Sequence, residues 1–147
     1  QPFQKQRPNL MIDIFTQIND LKGKICASPV TAEQVIRTQQ DLKLSGFPLI
    51  PDDYVNFLHH FNGVCWDDSC AYGINPETGS NDLLAANKNF FSPYEGKIIL
   101  GEDDFDFLAY NPQTQTYEII DREDFSLLHS YTKLETALCC LLKLEFI

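Results

Sequence analysis

The sequence predicts an α+β fold: a single domain in which an antiparallel twisted sheet of about five strands follows N-terminal helices and is closed by a buried C-terminal helix. Three observations carry this reading. Apolar residues up to Gly63 recur with helical spacing, those from Val64 to Ile120 fall into short β-like runs separated by turn residues, and the last fifteen or so residues return to a leucine-rich helical pattern. The 147 residues suit one domain, large enough to bury about 70% of the unfolded chain's surface. No internal repeat, linker or low-complexity segment divides it.

Taken in order, residues 1–8 lack periodicity and are expected to form a disordered tail ahead of a domain spanning 9–147. Leu10, Met11, Ile14, Phe15, Ile18 and Leu21 give an apolar stripe, a helix ending near Gly23. Ser28-Pro29 breaks the chain, and Thr31 with Gln34 has the spacing of a capping box that opens a second, half-exposed helix to about Leu44. After a turn at Gly46 and Pro48, Tyr54, Phe57, Leu58 and Phe61 line one face of a third helix. Pro51, Asp52 and Asp53 suit its start, and Asn62-Gly63 its stop.

Beyond Gly63, Val64–Trp66 and Ala71–Ile74 read as strands around Asp67-Asp68-Ser69, and residues 75–80 as a loop. Leu83–Ala85 reads as a short helix or turn. Lys97–Leu100, Phe105–Tyr110 and Gln115–Ile120 are further strands, the last two joined through Asn111–Thr114. Neither face of Phe105–Tyr110 is purely polar, which suits an interior strand. Leu134, Ala137, Leu138, Leu141, Leu142 and Leu144 make the final helix, from about Lys133, apolar round most of its circumference.

The net charge of −10 is concentrated in the middle. Residues 1–50 carry six basic and four acidic side chains, 51–124 three and fifteen, and 125–147 two of each. Such a surface repels phosphate, which argues against nucleic acid or an anionic membrane as partner and for a basic protein. A surface kept soluble by carboxylates is the plainer reading. No apolar run approaches the roughly 20 residues of a membrane span. The polar start QPFQKQRP is no signal peptide, although a chain beginning at Gln1 is expected to have lost an upstream segment. Five cysteines without a regular framework (Cys26, Cys65, Cys70, Cys139, Cys140) predict free thiols and a reducing, cytoplasmic location.

The order and spacing of LIPDDYVNFLHHFNGV, AYGI, LLAANKNFF, IILGEDDFDFLAY, TYEIIDRED and the terminal leucine-rich helix resemble the SUKH superfamily, closest to its YrhA-like branch. The resemblance covers Phe47 to Leu142, about two thirds of the chain. It implies an α+β domain without catalytic residues; from the residues themselves no cofactor or metal is expected. Bacterial members of that superfamily are mostly immunity proteins that neutralise toxin domains, often nucleases; its fungal members regulate cell-wall assembly, which makes a regulatory or scaffold domain the alternative.

Chemical readings of individual residues are weaker. His59 and His60 are neighbours on a helix, about 100° apart, and cannot chelate one metal from one face. Cys65 and Cys70 lack a zinc-site context, and a nucleophile pair of Cys65 with His59 or His129 has no supporting motif. Asp104 and Asp106 would share a side of a strand, where carboxylates can hold Mg²⁺ or Ca²⁺ or act as an acid/base pair, but the oxygen ligands and glycines of a calcium loop are missing. The expected partner-binding set is therefore Trp66, Asp67, Asp68, Glu102, Asp103, Asp104 and Asp106: an aromatic beside carboxylates, and an acidic run that can dock Lys or Arg groups.

Overall fold

The computed structural model describes residues 10–77, 81–90 and 96–144. The tail expected over 1–8 and the last part of the 75–80 loop lie outside these residues. Helices α1 (Leu10–Asn19), α2 (Ala32–Leu44) and α3 (Asp52–His60) precede strands β1 (Val64–Trp66) and β2 (Ser69–Ala71). Helix α4 (Leu83–Phe90) intervenes before β3 (Ile98–Glu102), β4 (Asp106–Asn111), β5 (Thr116–Asp121) and β6 (Leu127–Tyr131), and α5 (Leu134–Leu142) closes the domain. The sheet is an antiparallel meander in the order β1-β2-β3-β4-β5-β6. It is the α+β fold the sequence predicts, with β6 as a further strand. Strand β6 escapes the period-2 signal because it is an edge strand whose residues Leu127–Ser130 are all exposed, so nothing enforces alternation.

The predicted third helix anchors the core. Tyr54, Phe57 and Leu58 are buried, and the Tyr54 hydroxyl donates to the Tyr72 carbonyl at 2.6 Å with the Leu100 carbonyl at 3.0 Å. It thus ties the helix to the point where β2 and β3 part. The helix ends at His60, before the expected Asn62-Gly63 stop: Phe61 is its extended C-cap, and of the two following residues only Gly63 has a positive φ, +77°. A Cβ on Gly63 would lie 2.6 Å from the Gly73 nitrogen, so close approach of two backbones, as well as the turn, requires glycine there. The capping box forms as expected, with Gln34 N–H donating to Thr31 Oγ1 and Thr31 N–H to Gln34 Oε1.

Three side-chain amides complete backbone edges that no strand reaches. Gln39 exchanges two hydrogen bonds with the main chain of Ile50 (2.7 and 3.1 Å). Asn87 does the same with Ile99 (2.7 and 2.9 Å). Asn62 does so with Ile74 (2.7 and 2.9 Å) and also donates to the Ser28 carbonyl. Each amide copies the donor-acceptor pair of a peptide, so buried polar groups stay satisfied where the sheet stops. At the β1 edge the same task falls to Ile25, which exchanges 2.8 Å hydrogen bonds with Cys65.

Cys65 and Cys70 face each other across β1 and β2 with Cα atoms 4.1 Å apart and are joined by a disulfide. This corrects the expectation of five free thiols. The residues are five apart in sequence, a spacing that resembles no familiar framework, and only the hairpin register brings them together. Cys26 and Cys140 are free and exposed; Cys139 is free and buried, its thiol pushed up to about 11 chiefly by burial. Helix α5 buries Leu134, Ala137, Leu138, Cys139, Leu141 and Leu142 and packs on the sheet, with Leu141 meeting Gly101 of β3.

Candidate protein-binding surface

Antiparallel register brings three hairpin turns to one end of the sheet. The β1–β2 turn follows the Trp66–Ser69 pair, the β3–β4 turn follows Glu102–Phe107, and the β5–β6 turn follows Asp121, whose N–H donates to the Ser126 carbonyl. The Cys70–Glu102 and Asp106–Asp121 pairs set the turns side by side. The first turn carries Asp67 and Asp68. The second carries Asp103 and Asp104 between Glu102 and Asp106, and the third carries Glu123 and Asp124 beyond Asp121. Six of the seven residues singled out from the sequence, all but Trp66, thus put carboxylates at this end. Glu123, Asp124 and the cations Arg122 and Lys143 join them.

Several of these acids hold the turns in shape. Asp103 is buried, and its Oδ1 accepts from the N–H groups of Phe105 (2.9 Å) and Asp106 (2.7 Å), the local bonding by which Asp builds turns. Its other oxygen lies 3.5 Å from Lys143 Nζ, so Asp103, one of the residues expected to bind a partner, is placed within the turn and shapes it. Asp121 accepts from Glu123 and Asp124 N–H groups in the same way. Hydrogen bonds from Ser126 hold the Asp124 carboxyl below its ordinary range. Asp104 lies in the bend before β4, not on the strand, so it does not share a strand face with Asp106 as expected.

The two cations cross-link the turns. Lys143, the left-handed C-cap of α5, places its ammonium 3.3 Å from Asp68 Oδ1 and 3.0 Å from Ser69 Oγ. That contact lowers the Asp68 carboxyl. Arg122 donates to the Asp103 carbonyl at 2.7 Å, lies 3.4 Å from Glu102 Oε2 and sits over the Phe107 ring at 4.8 Å. Glu102 also accepts from the Tyr72 hydroxyl. Trp66 is half-buried, its indole N–H donating to the Lys22 carbonyl at 3.1 Å, which makes it a strut between β1 and the segment after α1. Asp67, Asp104 and Glu123 are exposed and make no ion pair among the described residues.

Apolar groups stand among these charges. Phe105 is 74% exposed, Leu127 54% and Phe125 50%. They belong to the second and third turns and to the start of β6, and the Phe105 carbonyl accepts from Arg122 N–H between those turns. Sequence reasoning missed them as binding residues because it assigned Phe105 to a strand face. The available signal was its place in an acidic bend, DDFD, where no helix or strand face can bury a ring. Exposed aromatics on turns that also carry carboxylates have the make-up of an interface core with a charged rim.

Burial and crowding by Asp103 and Asp121 raise the Asp106 carboxyl, with His129 on β6 partly opposing them. Among the described residues no group of three or more His, Cys, Asp or Glu side chains is placed to hold a metal ion. The disulfide leaves Cys65 without a thiolate, so the Cys65 nucleophile considered with His59 or His129 does not exist in this state. Among the described residues no helix is long and apolar enough to cross a membrane. Compared with known proteins, the chain matches no family model, no curated protein and no solved structure.

Proposed function

We propose that this protein is a non-catalytic binding domain that uses the acidic end of its sheet to cover a basic protein, most specifically an immunity protein that neutralises a nuclease-type toxin by occluding its positively charged cleft. The observation that carries the reading is the exposed Phe105, Phe125 and Leu127 on the same turns as Asp67, Asp104 and Glu123 or next to them, carboxylates that make no ion pair among the described residues. A nuclease cleft must be positive to hold phosphate. A surface of this kind competes for it, steers association through its field, and adds apolar contact once docked. The resemblance of the sequence to the SUKH superfamily points the same way.

The proposed place of action is the cytoplasm, where a nuclease toxin meets its substrate. The test is a pull-down with the product of the adjacent upstream gene at low and high salt, followed by a nuclease assay with and without this protein. Salt-sensitive capture and loss of nuclease activity are the expected results. Absence of a toxin gene upstream, together with no capture at low salt, sinks the toxin reading and leaves the regulatory or scaffold role.

A further inference from the structure

At the opposite end of the sheet, a cleft of about 260 Å³ opens between the start of α3 and the β4–β5 hairpin, lined by Asp52, Asp53, Tyr110, Gln115, Tyr117 and Thr132 among others. Tyr110 and Tyr117 are cross-strand partners whose ring centroids lie 4.9 Å apart, so the pair forms an aromatic wall. Opposite it stand the two carboxylates of the first turn of α3. The helix start offsets part of their charge, but its half-charge is smaller than two full negative ones. The N-cap is Pro51, without a side-chain cap bond, and neither acid makes an ion pair among the described residues.

Acids at a helix start are ordinary, and alone they would indicate nothing. Tyr117 supplies the second observation. It is 2% exposed, yet its hydroxyl makes no hydrogen bond among the described residues and is not sealed from solvent. Tyr117 also lines this cleft, beside Asp52 and Asp53. Burial first, and then the electrostatic influence of Asp53, Tyr110, Glu135 and Asp52, push the Tyr117 phenol well above its ordinary range. A nearly buried hydroxyl lacking a partner, facing carboxylates lacking cations, wants a donor-rich positive group.

We propose that the cleft binds an organic cation, an alkylammonium or guanidinium group. Its N–H groups would donate to Asp53, Asp52 and the Tyr117 hydroxyl, and its aliphatic stem would lie on the Tyr110–Tyr117 rings. Cations of this chemistry are favoured over a metal ion because one wall is aromatic and offers a π-face rather than oxygen ligands. The source is either a Lys or Arg side chain of a polypeptide or a small free amine. The site is separate from the acidic end, and its fate does not depend on that reading.

The test is an NMR titration of the intact chain with n-butylammonium and n-butylguanidinium, with n-butanol as neutral control. Saturable shifts at the amides of Asp53, Tyr117 and Thr132 are expected from the cations and not from butanol. Asp53→Asn should weaken binding roughly threefold to fivefold, as loss of one solvent-accessible charge partner does. Tyr117→Phe, which keeps the ring and the fold, should weaken it as well, whereas Asp104→Lys with Glu123→Lys at the other end should leave it unchanged. Glycine-flanked pentapeptides with a central Arg or Lys identify the source: tighter binding than the free cations supports a polypeptide occupant, equal or weaker binding a free amine. Shifts that butanol reproduces, or cation affinity that Asp53→Asn and Tyr117→Phe leave untouched, overturn the proposal.

Discussion

The side-chain amide of Asn62 and the backbone of Ile74 exchange two hydrogen bonds, 2.7 Å to the Asn62 oxygen and 2.9 Å from its nitrogen, although Asn62 lies in no strand. One buried side chain does here what a neighbouring strand does elsewhere in the sheet. A third bond, 2.7 Å to the Ser28 carbonyl, pins the segment before α2 to the same point. Asn62→Ala is expected to cost about 2–4 kcal/mol in urea unfolding, because it strands a buried N–H and carbonyl. Asn62→Asp keeps the acceptor but faces two carbonyls with a carboxylate, so it should be no better. A loss below about 0.5 kcal/mol for both would mean the amide is replaceable by water.

The Phe105 ring contributes little to the fold, being 74% exposed. Phe105→Ala should therefore leave the unfolding midpoint nearly unchanged while weakening a basic partner about tenfold, the loss typical of an interface anchor. Calorimetry of unfolding and of binding on the same sample separates the two effects.

Charge reversal distinguishes acids that shape the turns from acids that face outward. Asp104→Lys with Glu123→Lys should slow association by roughly tenfold at low salt and flatten its salt dependence, without loss of stability. Asp103→Lys is different: its carboxylate holds the N–H groups of Phe105 and Asp106, so the bend itself should fail and the midpoint fall. Stopped-flow association across a salt series, beside denaturant titrations, checks both halves.

Asp106 carries a pH signature. Burial first, then Asp103 and Asp121, raise its carboxyl in the folded chain above its value in the unfolded one. The folded state therefore holds that proton more tightly, and the stability tied to it is present below the ordinary carboxylate range and lost as pH rises through the folded pKa. Asp106→Asn should be more stable than the parent at neutral pH, with the advantage vanishing at strongly acidic pH. An advantage that persists unchanged in acid would assign the effect to packing.

The Cys65–Cys70 link predicts a thiol count. Alkylation of denatured, unreduced protein should label Cys26, Cys139 and Cys140 alone, and all five cysteines only after reduction. Closing so short a loop is worth about 2 kcal/mol by the chain-entropy relation. Cys65→Ser with Cys70→Ser should lose about that much, to the level of the reduced parent. Five labels without prior reduction would overturn the link.

What the sequence by itself determined about this protein is everything whose cause is local: the capping box of Thr31 and Gln34, the buried face of Tyr54, Phe57 and Leu58, the apolar circumference of α5, and the concentration of acid in the middle of the chain. Periodicity, caps and charge counts depend on neighbours within a few positions, so they can be read without coordinates. Only the tertiary structure decided the rest. Strand pairing placed the turns at Asp67, Asp104 and Glu123 side by side, exposed Phe105, joined Cys65 to Cys70, and buried Asp103 as a turn former. These outcomes depend on which residues meet across the sheet, and a one-residue change of register would turn each side chain to the other face.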